Sequence, residues 1–286
     1  MPMKKIIKVN RGVAPHWVGD GFPVNSLMSY QTEGAAISPF LLLDYAGPAK
    51  FAPSEQPRGV GQHPHRGFET VTIVYQGEVE HKDNAGNSGK IGPGDVQWMT
   101  AARGILHEEM HGRDFSKKGG TLEMIQLWVN LPAQVKMSKP HYQEILSKNI
   151  PVVKLDANGN LLRVIAGDYA GTAGAAKTFT PVNVWDLRIK KGYKIDELPL
   201  PVDSNTMLLV LKGTILVNNT TAVQEKELVF FEREGGCIAL ESSSEAMLLL
   251  LNGKPIDEPI VGQGPFVMNT KDEIAQAFAD YRTGRF

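Results

Sequence analysis

Three absences narrow the field before any motif is read. The chain has a single cysteine, Cys237, among 286 residues. That excludes an internal disulfide framework and fits a reducing compartment. Long apolar runs are also missing: the longest, Ala246 to Leu251, falls well short of the ~20 residues that carry a helix across a bilayer. The N-terminal stretch MPMKKIIKVNRG has lysines but no apolar core of the kind a secretory signal carries. The cytoplasm is therefore the expected address, with no membrane partner. The third absence is an excess of charge. Lys and Arg total 30 against 31 for Asp and Glu, a formal net charge of -1. No basic surplus exists to neutralise phosphates, so direct nucleic-acid binding has no support.

What remains is an ordinary globular composition, 42% hydrophobic and 21% charged, in a length that suits two domains. Glycine and proline punctuate short runs rich in Val, Ile, Leu, Phe and Thr, among them 70–75, 96–99, 124–129, 161–165, 182–189, 207–211 and 247–251. Short strands between regular turn signals predict an all-β sandwich or barrel. A polar stretch with a proline and an Asn158-Gly159 turn follows Pro140, and the domain boundary is placed there, giving 1–140 and 141–286. The two halves read as weak copies of one plan. Aligning Gly77 on Gly213 sets Pro199 and Pro201 where His63 and His65 stand, and no histidine follows His141. Proline offers no side-chain ligand, so any metal site belongs to the first half alone. The β pattern ends at Thr270-Lys271-Asp272-Glu273, a capping box. Ile274, Ala277, Phe278 and Tyr281 follow at helical spacing. One amphipathic helix is expected over about 271–282, packed as a clamp on one of the barrels.

Chemistry concentrates in two short sets, His63-Pro64-His65 and His107-Glu108-Glu109. On an extended strand, side chains two apart share a face. His63 with His65, and His107 with Glu109, can therefore aim at one point from neighbouring strands. Three imidazoles and a carboxylate make a complete shell for a divalent first-row metal with open positions. The bland alternative, a satisfied core histidine, suits a lone residue better than two spaced pairs. Without cysteine, Cu(I) and iron–sulfur clusters are disfavoured. Fe(II) fits best, and Ni, Co, Mn or Zn suit the same cage.

These residues sit in segments that resemble the pirins, a bicupin family. The resemblance is carried by HPHRGFETV from His63, by GPGDVQWMTA from Gly92, by RGILH from Arg103 and by QLWVNLP from Gln126. It continues through GKPI from Gly253 and GPFVMNT from Gly264. It implies two cupin (jelly-roll) barrels face to face, with iron in the first, held by His63, His65, His107 and Glu109. It further implies quercetin 2,3-dioxygenase activity: opening of a flavonol heterocycle by dioxygen with release of carbon monoxide. Animal pirins are also described as nuclear transcriptional co-regulators. The rival function is therefore a non-enzymatic regulatory protein whose metal state controls a protein partner. An open pocket beside the metal would favour the enzyme, and a plugged barrel the switch. Two barrels in one chain already resemble a cupin dimer, which points to a monomer.

Two roles are open to Glu109, fourth ligand and general base toward a bound hydroxyl. Glu69, at the position that ligates metal in many other cupins, is the runner-up base. His81 and His111 are read as surface residues or as neighbours of the ligands, and His16 and His141 as loop residues. Gly92-Pro93-Gly94-Asp95 reads as a hairpin connection, since no Gly-Lys-Ser/Thr follows to make it a phosphate loop. Trp98 and Met99 read as barrel packing, with a smaller claim to face a flat aromatic substrate. Cys237 reads as a small buried hydrophobe.

Overall fold

The computed structural model describes residues 1–11 and 14–286. Two compact units form. One comprises the described residues of 13–35 with 40–147 and 256–286. The other comprises the described residues of 1–12 with 36–39 and 148–255. Each is a cupin barrel built of a seven-stranded and a four-stranded antiparallel sheet.

In the first unit the large sheet runs His141–Ile145, Val96–Thr100, Phe68–Gln76, Gly120–Asn130, Phe40–Phe51, Phe22–Ser29, His16–Val18, and the small sheet Gly59–His65, Ile105–His111, Val79–Asp83, Ser88–Ile91. The second unit repeats the arrangement. Its large sheet runs Ile6–Asn10, Leu228–Phe231, Asn205–Lys212, Ala246–Gly253, Val182–Ile189, Leu161–Ala166, Val152–Lys154, and its small sheet Lys194–Pro199, Cys237–Ser242, Thr214–Val217, Thr221–Gln224. Gly77 and Gly213, aligned on sequence, occupy the same turn after the central strand, with φ of +83° and +86°. A Cβ at Gly213 would meet the Glu245 carbonyl oxygen at 2.3 Å. Both the left-handed backbone and the close approach call for glycine.

The interiors of the repeats differ. Leu198, Leu200, Ile238 and Leu240 join Trp185, Val210, Leu248 and others in one continuous apolar cluster of the second unit. In the first unit the small sheet turns histidines and carboxylates inward instead.

Three sequence expectations need correction. The units divide at 147/148 rather than 140, and each takes its terminal segment from the far end of the chain. Ile6–Asn10 pairs with Leu228–Phe231, completing the edge of the second unit's large sheet. Residues 256–286, the helix included, belong to the first unit. That helix spans Lys271–Arg282 with the expected capping box, Thr270 to Glu273. It buries Ile274 and Ala277 against Phe266 and Met268. The turn Gly92–Asp95 does not close a hairpin, because its flanking strands lie in different sheets, so it makes a corner between them. His16 and His141 each open a short edge strand instead of lying in loops. Among the described residues no helix is long and apolar enough to cross a membrane.

Candidate metal centre

Ile105–His111 alternates strictly between inward and outward positions. Ile105, His107, Glu109 and His111 are buried, while Leu106, Glu108 and Met110 are half-exposed. Its neighbour Gly59–His65 pairs in a register that sets His107 opposite His63 and Ile105 opposite His65. The pairing shifts between His107 and Glu109, so that Glu109 meets Val60. Such an irregularity re-aims a side chain relative to a regular ladder.

The ring nitrogens of His63, His65 and His107 converge within 4.8 Å of one another. Their ring centroids lie 4.3 to 4.9 Å apart. His65 and His107 are buried and His63 is half-exposed, so the group has one side toward solvent. Burial, with His63 close by, holds His65 down to about 3. Burial and the neighbouring histidines hold His107 well below its ordinary value. Neutral imidazole is the form that ligates a metal. His63 Nδ1 lies 2.9 Å from the Gly61 carbonyl, which leaves Nε2 available. His107 Nε2 is buried with no hydrogen-bond partner. An orphaned nitrogen of this kind, among three converging imidazoles, fits a divalent cation.

Glu109 is brought near but does not join the converging group. Its Oε1 accepts from Thr72 Oγ1 at 3.1 Å and its Oε2 from Gln126 Nε2 at 3.1 Å. Burial raises its carboxyl above the usual range, against the pull of His63 and these two donors. Glu69 is excluded from the centre by parity. Thr72 reaches Glu109, so Glu69, three residues earlier on the strand Phe68–Gln76, faces the other side of the sheet. There its Oε1 accepts from Thr100 Oγ1 at 2.7 Å. The runner-up base therefore falls away.

Two neighbours of the group had no sequence signal of their own. Trp128 and Phe68 stand beside His65, with centroids 5.4 and 5.1 Å from its ring, and pack on each other at 4.3 Å. Trp98 and Met99, the residues offered for an aromatic contact, are fully buried. His81, also buried, places Nδ1 3.2 Å from His107 Nδ1. His111 is occupied elsewhere, its Nε2 on the Gly21 carbonyl at 2.8 Å and its ring among Phe22, Phe51 and Phe115.

The turn after His65 is braced from outside the barrel. Arg66 pairs with Phe266 in a short bridge and with Asp280 at 2.8 Å. Gly67 has φ +91°, and a Cβ there would lie 1.9 Å from the Val267 carbonyl oxygen. The buried Lys136 ammonium donates to the carbonyls of Gly67 and Val267 and to Asn130 Oδ1, at 2.6, 3.0 and 2.6 Å.

Two cupin barrels in one chain, with converging histidines in only one of them, define a bicupin with a single candidate metal centre among the described residues. The pirin family matches residues 21–129, and the pirin C-terminal cupin domain matches residues 184–286. A Pseudomonas aeruginosa protein, provisionally named a quercetin 2,3-dioxygenase, is 55% identical over 284 residues, 99% of each chain. Human pirin is 36% identical over 255 residues, 87% of this chain and 83% of its own. The crystal structure of quercetin 2,3-dioxygenase from Acinetobacter baumannii superposes with a TM-score of 0.96 at 52% identity, covering 99% of this chain and 98% of that one. The chain belongs to the pirin family.

Proposed function

We infer that the chain is an iron-dependent dioxygenase that opens the heterocycle of a flavonol such as quercetin, releasing carbon monoxide. His63, His65 and His107 hold Fe(II), with Glu109 as fourth ligand. The observation that carries this reading is the convergence of three imidazoles within 4.8 Å, with His63 half-exposed to solvent. The likeness to the Acinetobacter dioxygenase supports the substrate class. A bound metal would act as a Lewis acid, lowering the pKa of a coordinated hydroxyl, and would supply the redox partner for dioxygen.

The chain's own groups do the rest. His63 leaves the cluster approachable. Trp128, half-buried, offers an aromatic face beside His65 that is suited to a flat ring, and the buried Phe68 packs behind it. Glu109, with its carboxyl raised by burial, is a stronger base than an exposed carboxylate and takes the hydroxyl proton. Thr72 and Gln126 hold it in place for that transfer.

The test is oxygen uptake with quercetin by Fe(II)-loaded protein, alongside His63→Ala and Glu109→Gln. Uptake with carbon monoxide is expected from the wild type and is lost in His63→Ala. Glu109→Gln should retain iron on the three histidines while its rate falls about 10²-fold or more. Absence of uptake from protein verified to hold iron ends the dioxygenase reading and leaves a metal-dependent binding module.

A further inference from the structure

We propose that His81 is a positioning residue for the metal centre, accepting the Nδ1 proton of His107 and so turning the bare Nε2 of that ring toward the metal. The inference rests on the metal reading above and adds a residue that lies outside the ligand set.

The two Nδ1 atoms are 3.2 Å apart and both rings are buried. A neutral imidazole carries one proton, so a contact between two ring nitrogens needs one donor and one acceptor. Were His81 the donor, His107 would carry its proton on Nε2, the buried nitrogen that has no partner and is the one left for a metal once Nδ1 is engaged. That arrangement puts an N–H where ligation needs a lone pair. With His107 as donor, Nε2 presents a lone pair and His81 carries its proton on Nε2. That nitrogen makes no hydrogen bond, but the nearest carboxyl oxygen, Asp83 Oδ2, lies 3.9 Å away. Asp83 is itself fixed by the backbone amides of Ala85 and Asn87 at 2.9 Å and by Asn87 Nδ2 at 2.7 Å. The His81 ring is stacked on Tyr142 at 5.1 Å and 13°. The one hydrogen-bonding contact to the His107 ring is therefore His81 Nδ1, and that contact sets the orientation of the ligand ring. Partners of this kind fix the tautomer of a ligand and commonly govern metal affinity 10- to 100-fold.

The test compares His81→Phe, which keeps a ring over Tyr142 but removes the acceptor, with His81→Asn, whose Oδ1 falls near the original Nδ1. Co(II) affinity is measured by competition with a chromophoric chelator, and the visible spectrum of the Co(II) protein is recorded. His81→Phe should bind about 10- to 100-fold more weakly with an altered spectrum, and His81→Asn should recover most of the affinity. Folding is checked by thermal melts of the metal-free proteins. Should His81→Phe not fold, His81→Ala against His81→Asn makes the same comparison. Wild-type affinity and spectrum in a folded His81→Phe overturn this role alone, as does an equal loss in both variants. A wild type with no measurable affinity, matching His107→Ala, overturns the metal site and this role with it.

Discussion

Glu69 and Glu109 are both buried carboxylates of the same barrel, yet their chemistry diverges because they face opposite sides of a sheet. Burial pushes Glu69 up to about 7 from 4.5, against the donor Thr100. Between those values the folded chain keeps a proton that the unfolded chain has released. The resulting stabilisation is complete below 4.5 and is lost as pH rises through 7. Glu69→Gln keeps the neutral shape and can still accept from Thr100. Melting wild type and variant side by side should give similar stability near pH 4.5 and an advantage to the variant at pH 8, of about 3 kcal/mol at most. A difference that stays constant across that range would mean the acid ionises alike in both states. Sequence spacing was enough to set His107 and Glu109 on one face of Ile105–His111, which alternates cleanly, but not to show that Glu109 stays outside the converging group. It could not orient Glu69. Phe68–Gln76 is buried at every position but its last, as a central strand covered on both faces, and no polar alternation reveals which way a side chain points. For His81 the sequence left surface residue and neighbour of the ligands both open, because the contact that decides is with a residue 26 positions away.

At the scale of elements, the C-terminal helix reaches the turn after the histidine strand through one ion pair. Arg66 is 3% exposed and its partner Asp280 13%. Asp280→Ala should leave a buried guanidinium uncompensated, at a cost of about 2–4 kcal/mol. Calorimetry should then show the transition of the histidine-bearing unit lowered by roughly 5–15 °C. Lys194→Ala, which removes an exposed pair with Asp196, is the control and should shift its own unit by little. Equal shifts would remove the special standing of the Arg66 pair. The helix itself was legible, since a capping box and helical spacing are local signals. Which barrel it serves was not, because that depends on pairing between Phe266 and Arg66, far apart in the chain. The corner at Gly92–Asp95 shows the same limit. Its turn chemistry is local, but whether a turn closes a hairpin or changes sheets is decided by distant strands.

Taken whole, the molecule carries one plan twice with different interiors: in one copy histidines converge beside apolar clusters, and in the other the interior is continuously apolar. Metal analysis of protein loaded with excess Fe(II) and desalted should find one ion per chain, and none in His107→Ala. Two ions would reveal a site in the apolar copy. The duplication was legible from the aligned glycines, and the loss of ligands from Pro199 and Pro201. The exchange of terminal segments was not, as it links strands more than two hundred residues apart. That exchange bears on how the chain is made. During synthesis the first strand, Ile6–Asn10, leaves the ribosome long before its neighbour Leu228–Phe231 exists, and must wait unpaired. By the time residue 200 has emerged, all the proposed metal ligands are present, while Phe266, Val267 and Asp280, which brace the turn beside them, have yet to be translated. The cage is the earliest chemistry written into the message and among the last parts of the fold to be secured.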